Sequence, residues 1–390
     1  MHARRFIPYG TQWLGDEEIN AVVEVLKGDW LSPGPYVDAF EEAMAEYCGA
    51  RHAVAFSSGT AALHGAVFAA GLQPGQRGIT SPFSWVASAN CIAYQNGHPA
   101  FADVDAASMN LSPDKLQAAI TGDTRLVIPV HFAGLPCDMQ AIRQFADAHD
   151  LTIIEDAAHA LGATSRHGKV GDCRYSDMVC FSFHPVKHIT TGEGGMVLTN
   201  NTDLTEQLRR FRNHGIVRAD GQRFPDEGPW YFEMQQLGYN YRMTNFQAAI
   251  GFHQLKKLDA FVARRHEICA RYDEAFQNVE NIGVAVAADG YNSSRHLYVI
   301  RLQSETLQRS KKQIVEQLKQ AGLGVQVHYP PIHTQPYYRE HYGYQAGDFP
   351  VAEQLYRESL SIPLYPKMTD DDVEYVIETI SNVTGRFGQA

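Results

Sequence analysis

Between His52 and Asn200, short apolar runs (VAFSS, ITSP, PAFADV, RLVIPV, LTIIED, MVCFSF and GMVLTN) alternate with helix-like segments. Parallel strands need long crossovers, and the crossover helices cover both faces of the sheet they connect, so this alternation predicts a mostly parallel sheet sandwiched between helices. The runs are nearly continuous in apolar residues, as strands buried on both faces must be. From Gly59 to Gly71 the apolar residues Leu63, Val67 and Ala70 follow a helical period, and Gly71 with Pro74 supplies the stop.

After about residue 250 the pattern changes. A long charged helix is expected from Gln254 to about Val279, then a strand HLYVIRL, a helix near Lys311 to Ala321 and a strand GVQVHY. At 390 residues the chain exceeds the length at which single cores stop growing, so two domains are expected: residues 1–250 as a large unit and 251–390 as a smaller α+β unit. The Gly-, Pro- and aromatic-rich stretch from Ile216 to Leu237 is too long for a routine connection and reads as a functional loop.

Composition removes several function classes. The net charge of -11 leaves no broad basic surface, which argues against nucleic acid or anionic membrane as partner. No apolar run approaches the roughly 20 residues of a membrane span. The N-terminal MHARRFIPYGTQW has no apolar signal core, and the six cysteines are scattered without a CxxC pair, so a cytoplasmic location with reduced core thiols is expected.

The residues that could carry chemistry cluster at the ends of the predicted strands. Lys187 follows the run MVCFSF and is followed by the glycines of TTGEGG, which allow other groups to approach closely. A lysine desolvated there would have a lowered pKa and act as nucleophile and base near neutrality. Asp156 ends LTIIED, carried inward by the apolar residues before it. Lysine with a buried carboxylate is the pairing that pyridoxal phosphate needs, the lysine for its aldehyde and the carboxylate for its pyridinium nitrogen.

Ser57, Ser58, Gly59 and Thr60 join a strand to a helix, where free N–H groups and the helix dipole favour an anion, although a simple Ser/Thr cap gives the same pattern. Trp85 could cover a cofactor ring or fill the core, and His159 could bond or stack on that ring or be a satisfied core histidine. No GxxxxGK[ST] or GxGxxG is present. His184 and His188 have the spacing of two metal ligands on a helix, but Pro185 and the glycines at 192, 194 and 195 forbid that helix, so no metal is expected.

Read together, FIPYGTQWLGDEE, WLSPG, FEEAMAEYCG, SSGTAAL, EDAAHALGA, FSFHPVKHITTGEGG, GYNYRMTNFQAAIG, VHYPPIH and SIPLYP resemble the sugar aminotransferases of the DegT/DnrJ/EryC1/StrS family over almost the whole chain. The resemblance implies a fold type I pyridoxal phosphate enzyme with a mostly parallel seven-stranded sheet, helices on both faces and a smaller C-terminal α+β domain. It implies that Lys187 binds the cofactor covalently, Asp156 meets the ring nitrogen, Trp85 stacks on the ring and His159 lies near its hydroxyl. Gly59, Thr60 and Ser182 would hold the phosphate, with Asn240 reaching across from a second subunit, so that a homodimer shares its active sites.

Within the family the likeness is greatest to the branch serving pseudaminic acid biosynthesis. This implies amino transfer from L-glutamate to C4 of a UDP-linked 4-keto-6-deoxy sugar, with Tyr9, Asp29, Trp30, Leu31, Ser32, His328, Tyr329, Pro330 and Pro331 around it. The segment His333-Thr334-Gln335 followed by Tyr337-Tyr338 is similar to the aminoarabinose enzymes, which with the viosamine type share most motifs. Sugar 3-dehydratases of the same fold carry histidine in place of the lysine. Counting back from TTGEGG, the lysine position falls on Lys187 and not on His188.

Overall fold

The computed structural model describes residues 6–218, 228–277, 279, 281–284, 290–303 and 309–385. All seven apolar runs form strands of one sheet: β1 (His52–Phe56), β2 (Arg77–Thr80), β3 (His98–Phe101), β4 (Thr124–Ile128), β5 (Thr152–Asp156) and, after the short hairpin β6 (Thr164–Ser165) and β7 (Gly168–Lys169), β8 (Met178–Ser182) and β9 (Gly195–Thr199). Their order is β1-β9-β8-β5-β4-β2-β3. Six strands point the same way, and β9 alone runs antiparallel to both its neighbours, β1 and β8.

The exception has a local cause. Between β8 and β9 the chain has Pro185 and two glycines, Gly192 and Gly194, instead of a helical segment, so it turns back on itself, and a direct return gives an antiparallel pair. That return, residues 183–194, is the loop that carries Lys187.

Helices cover both sheet faces. One apolar core packs Phe40 and Met44 against Phe181, Phe183 and Met196, and another packs Val54, Phe56, Leu63 and Val67 against Cys180, Val197 and Phe211. The helix Gly59–Ala69 is buried nearly all round, which is why its apolar residues form no single stripe.

Two further strands, β10 (Ile216–Arg218) and β11 (Phe232–Met234), pair antiparallel. The stretch expected to be a functional loop is therefore a hairpin at its described ends, and residues 219–227 of it lie outside the described residues. Toward the C-terminus come β12 (Ile282–Val284), β13 (Tyr291–Asn292), β14 (Tyr298–Leu302) and β15 (Ser359–Ile362). Strands β12, β14 and β15 form an antiparallel sheet, and a separate core there joins Ile268, Tyr272, Ile300, Ile314, Leu318, Leu360 and Val376.

The long charged helix expected from Gln254 to about Val279 is Leu258–Phe276, preceded by a separate helix, Asn245–Leu255. At the junction Lys257 Nζ pairs with Glu17 and Glu18, each at 2.8 Å, and Gln254 Nε2 donates to Trp13 O at 3.0 Å. The expected strand GVQVHY is extended but unladdered, with single bridges Leu323–Ile7 and Gln326–Ser361. Gly324 N–H donates to Ile7 O at 2.7 Å, and Gln326 exchanges both backbone hydrogen bonds with Ser361 of β15, so this segment ties the N-terminal residues to the edge of the small sheet.

Candidate active site

The carboxyl ends of β1, β2, β5 and β8 open on the same side, the position at which parallel α/β sheets form their sites. From β1 the chain passes at once into the helix Gly59–Ala69, capped by Ser58 Oγ, which accepts from Ala61 N at 3.1 Å. The N–H groups of Gly59 and Thr60, in the first turn, have no acceptor within the helix. Glycine is required at two points of this junction. A Cβ on Gly59 would lie 2.7 Å from Ser182 Cβ, and one on Gly195 would lie 2.3 Å from Ser58 O. The helix start is thus pressed against the end of β8, with Gly59 and Ser182 in contact.

Asp156, the last residue of β5, is buried. Its Oδ2 accepts from Ser88 Oγ at 2.6 Å and its Oδ1 from Ala158 N–H at 3.2 Å, which leaves acceptor capacity on both oxygens. Ser88 comes from the helix Ala87–Ala93, just after Trp85. Trp85 is 59% exposed, and its ring lies 5.9 Å from that of Tyr329.

Lys187 is half-buried in its loop, where burial of the amine pulls its pKa down to about 8 and the attraction of the Asp156 carboxylate opposes that shift. Of the two histidines in this loop, His184 is exposed and His188 is buried with Nε2 donating to Ser294 O at 3.0 Å, so their side chains part company. Among the described residues no cluster of three His, Cys, Asp or Glu suits a metal.

His159 is buried, hydrogen-bonded through Nε2 to Tyr329 OH at 3.2 Å. Burial, and after it the nearby Lys187 ammonium, hold it neutral, its pKa well below the ordinary range. His328 pairs through Nδ1 with Ser361 Oγ at 2.8 Å, and burial with Lys187 nearby lowers its pKa to about 3. Tyr9 is 5.5 Å from His328, ring to ring, and burial raises its pKa. Pro331 is buried and Pro330 exposed, and the next residue, Ile332, donates its N–H to Pro82 O at 2.8 Å, close to Trp85.

Thus Lys187, Asp156, His159, Trp85, His328, Tyr329 and Tyr9 form one connected group, with Gly59, Thr60 and Ser182 at the sheet end beside it. Asp29, Trp30, Leu31 and Ser32 are exposed, held where Asn245 N–H donates to Leu31 O at 2.9 Å and its Nδ2 to Trp30 O at 2.8 Å. Asn240 is also exposed, bridged to Asn213.

Sequence reading missed Ser88, whose partner is 68 residues away, and a cavity of about 310 Å³ lined by Arg209, Arg210, Arg212, Arg218 and Arg242 beside Pro33. The arginines of RRFRNHGIVR and GYNYR are visible in the sequence, but only the fold brings them together.

The fold and this constellation define a class: an α/β enzyme with a lysine and a buried carboxylate at the ends of its parallel strands. Pyridoxal phosphate fits the residues present, because the free acceptor sites of Asp156, the Lys187 amine and the glycine-cleared helix start match its ring nitrogen, aldehyde and phosphate.

The chain belongs to the DegT/DnrJ/EryC1/StrS aminotransferase family, whose description matches residues 12–381. It is 41% identical over 379 residues to the spore coat polysaccharide biosynthesis protein SpsC of Bacillus subtilis, covering 97% of each chain. Among solved structures it is similar to Helicobacter pylori PseC, an aminotransferase involved in the biosynthesis of pseudoaminic acid, with a TM-score of 0.90, 30% identity and coverage of 97% and 99%. It is also similar to the PLP form of the Streptococcus pneumoniae putative sugar aminotransferase Spr1654, with a TM-score of 0.88, 28% identity and coverage of 97% and 98%. The protein is therefore a pyridoxal phosphate-dependent sugar aminotransferase. Among the described residues no helix is long and apolar enough to cross a membrane.

Proposed function

We propose that the protein transfers an amino group from L-glutamate to C4 of a UDP-linked 4-keto-6-deoxy sugar, releasing 2-oxoglutarate and a 4-amino sugar. The observation that carries this reading is the buried Asp156, oriented by Ser88 at the end of β5, with Lys187 on the β8–β9 return within electrostatic reach of it. UDP-2-acetamido-2,6-dideoxy-β-L-arabino-hexos-4-ulose, of pseudaminic acid biosynthesis, is the substrate favoured by the likeness to PseC. Aminoarabinose- and viosamine-type 4-keto sugars are the nearest alternatives. The arginine-lined cavity supports an anionic handle such as a diphosphate in an otherwise acidic chain.

Pyridoxal phosphate, when bound, supplies an aldehyde to carry the amino group and a ring to spread the electron pair left when a proton departs. Lys187 would hold the cofactor between turnovers, and its freed amine would take the proton from Cα of glutamate and, in the second half, deliver one to C4 of the sugar. Asp156, oriented by Ser88 and the Ala158 N–H, would keep a proton on the ring nitrogen. Trp85 and His159 would hold the ring, and Gly59, Thr60 and Ser182 the phosphate. Tyr9 and the segments 29–32 and 328–331 surround the sugar nucleotide. Holding base and substrate on one cofactor makes the proton transfer intramolecular, which can be worth about 7 to 11 kcal/mol.

The working unit in this reading is a homodimer, with Asn240 completing the partner's phosphate site. The exposure of Asn240, and of Trp30 at 66%, Trp230 at 76% and Leu237 at 70%, supports a covering subunit. A division near residue 250 is supported by the separate core around β12, β14 and β15. Six buried free cysteines support a reducing, cytoplasmic setting.

The test is turnover of L-glutamate with UDP-, dTDP- and GDP-linked 4-keto sugars, with NMR of the product. A nitrogen at C4 of a UDP sugar is expected. A 3-deoxy product with release of ammonia would instead make the protein a dehydratase.

A further inference from the structure

The strap Ser293–Leu297, which leads into β14, is tied on two sides. Toward the seven-stranded sheet, Ser294 N–H donates to Gly134 O and His296 N–H to Ala133 O, both at 3.0 Å, and Ser294 Oγ donates to His159 O at 3.2 Å. On the other side lies Arg265, 1% exposed, from the helix Leu258–Phe276. Its Nη1 donates to the carbonyls of Arg295 at 3.3 Å, His296 at 3.1 Å and Leu364 at 3.0 Å. Burial lowers the pKa of Arg265 only to about 10, so it remains a cation at neutral pH and the strap carbonyls solvate it.

The ring of His296, 4% exposed, stands 4.4 Å from that of His159 and 5.3 Å from that of His188. The Nδ1 atoms of all three are buried without a partner. His159 and His188 are anchored through Nε2, to Tyr329 OH and to Ser294 O, and the three rings meet one another by packing. His159 has one side-chain hydrogen bond, to Tyr329, and the other rings near it, Phe132 and Tyr329, are each 6.2 Å away. A histidine χ2 torsion is broad and roughly two-fold, so the plane of His159 depends on its closest ring neighbour.

We propose that His296 is a positioning residue for the cofactor site: its ring fixes the plane of His159 against Tyr329, and Arg265 fixes His296 through the strap. The inference rests on the reading of Lys187 and His159 given above. Five titratable side chains surround the His159 and His296 rings: Lys187, His188, Arg265, His328 and Tyr329.

The test follows the pH midpoint of the visible absorption band of the purified holoenzyme, together with kcat and KM, in His296→Ala and His296→Phe. His296→Ala is expected to move the midpoint by about half a pH unit or more and to lower kcat about tenfold, with KM for glutamate nearly unchanged. His296→Phe, which keeps a ring, is expected to restore both. An unmoved midpoint in His296→Ala, or no restoration by Phe, overturns the proposal. If the alanine protein does not fold, the Phe variant decides alone: a wild-type midpoint supports ring packing and a displaced one overturns it. A wild-type protein without any visible band would instead contradict the parent reading of Lys187.

Discussion

At the scale of single residues, the site depends on how charge is held out of water. Asp156 is fixed by a hydrogen bond from Ser88 and a backbone N–H, and such bonds to a charged acceptor contribute about 1.5–3 kcal/mol. Asp156→Asn is therefore expected to lower kcat/KM about 100-fold or more while cofactor remains bound, since it removes the charge opposite the ring nitrogen. Ser88→Ala, which leaves the charge and loosens its orientation, is expected to cost about tenfold. Steady-state kinetics on the two variants separates the effects, and equal losses would contradict this division. Lys187 and Asp156 were both legible in the sequence because each follows an apolar run that could only be a buried strand. Ser88 and His296 were not, because what they touch is decided by packing between segments 68 and 137 residues apart.

At the scale of elements, the loop between β8 and β9 determines both topology and chemistry. Its proline and glycines prevent a crossover helix, make β9 antiparallel and bring Lys187 back over the strand ends. The start of the helix Gly59–Ala69 fits beside it only because Gly59 and Gly195 lack side chains. Gly59→Ala is expected to weaken cofactor binding by about 1–3 kcal/mol, the usual scale of overpacking. Gly122→Ala, where a Cβ would meet nothing within 4 Å, is expected to leave binding unchanged. Titration of the apoenzyme with pyridoxal phosphate measures both, and equal affinities in the two variants would contradict the close fit. Periodicity read the seven strands well. It placed the long C-terminal helix but began it at Gln254, four residues before its start at Leu258, because the junction at Lys256-Lys257 holds no proline or glycine to mark it.

At the scale of the whole molecule, four imidazoles at the site are held neutral. Burial is the main cause of the lowered pKa of His159, His188, His296 and His328, with Lys187 and, for His188 and His296, Arg265 adding to it. As pH falls below about 6.5, the unfolded chain takes up protons on these groups that the folded chain refuses, so stability is full above that value and falls below it. Each such histidine contributes a slope of at most about 1.4 kcal/mol per pH unit. Urea unfolding at fixed cofactor concentration is expected to show loss of stability from pH 6.5 to 5.5, with a shallower slope in His296→Phe. A flat profile, or an identical slope in the variant, would contradict the neutral cluster.

The proposed dimer belongs to the same scale. Asn240 and residues 29–32 are exposed within one chain. Their assignment came from motif resemblance, because no residue pattern inside a sequence announces which surface a second subunit will cover.

Covalent attachment of the cofactor to Lys187 can be read out chemically. The purified holoenzyme is reduced with borohydride, digested, and mapped by mass spectrometry. The account predicts a single cofactor adduct on the peptide containing Lys187. An adduct on another lysine, or continued amino transfer from glutamate by Lys187→Ala, would contradict it.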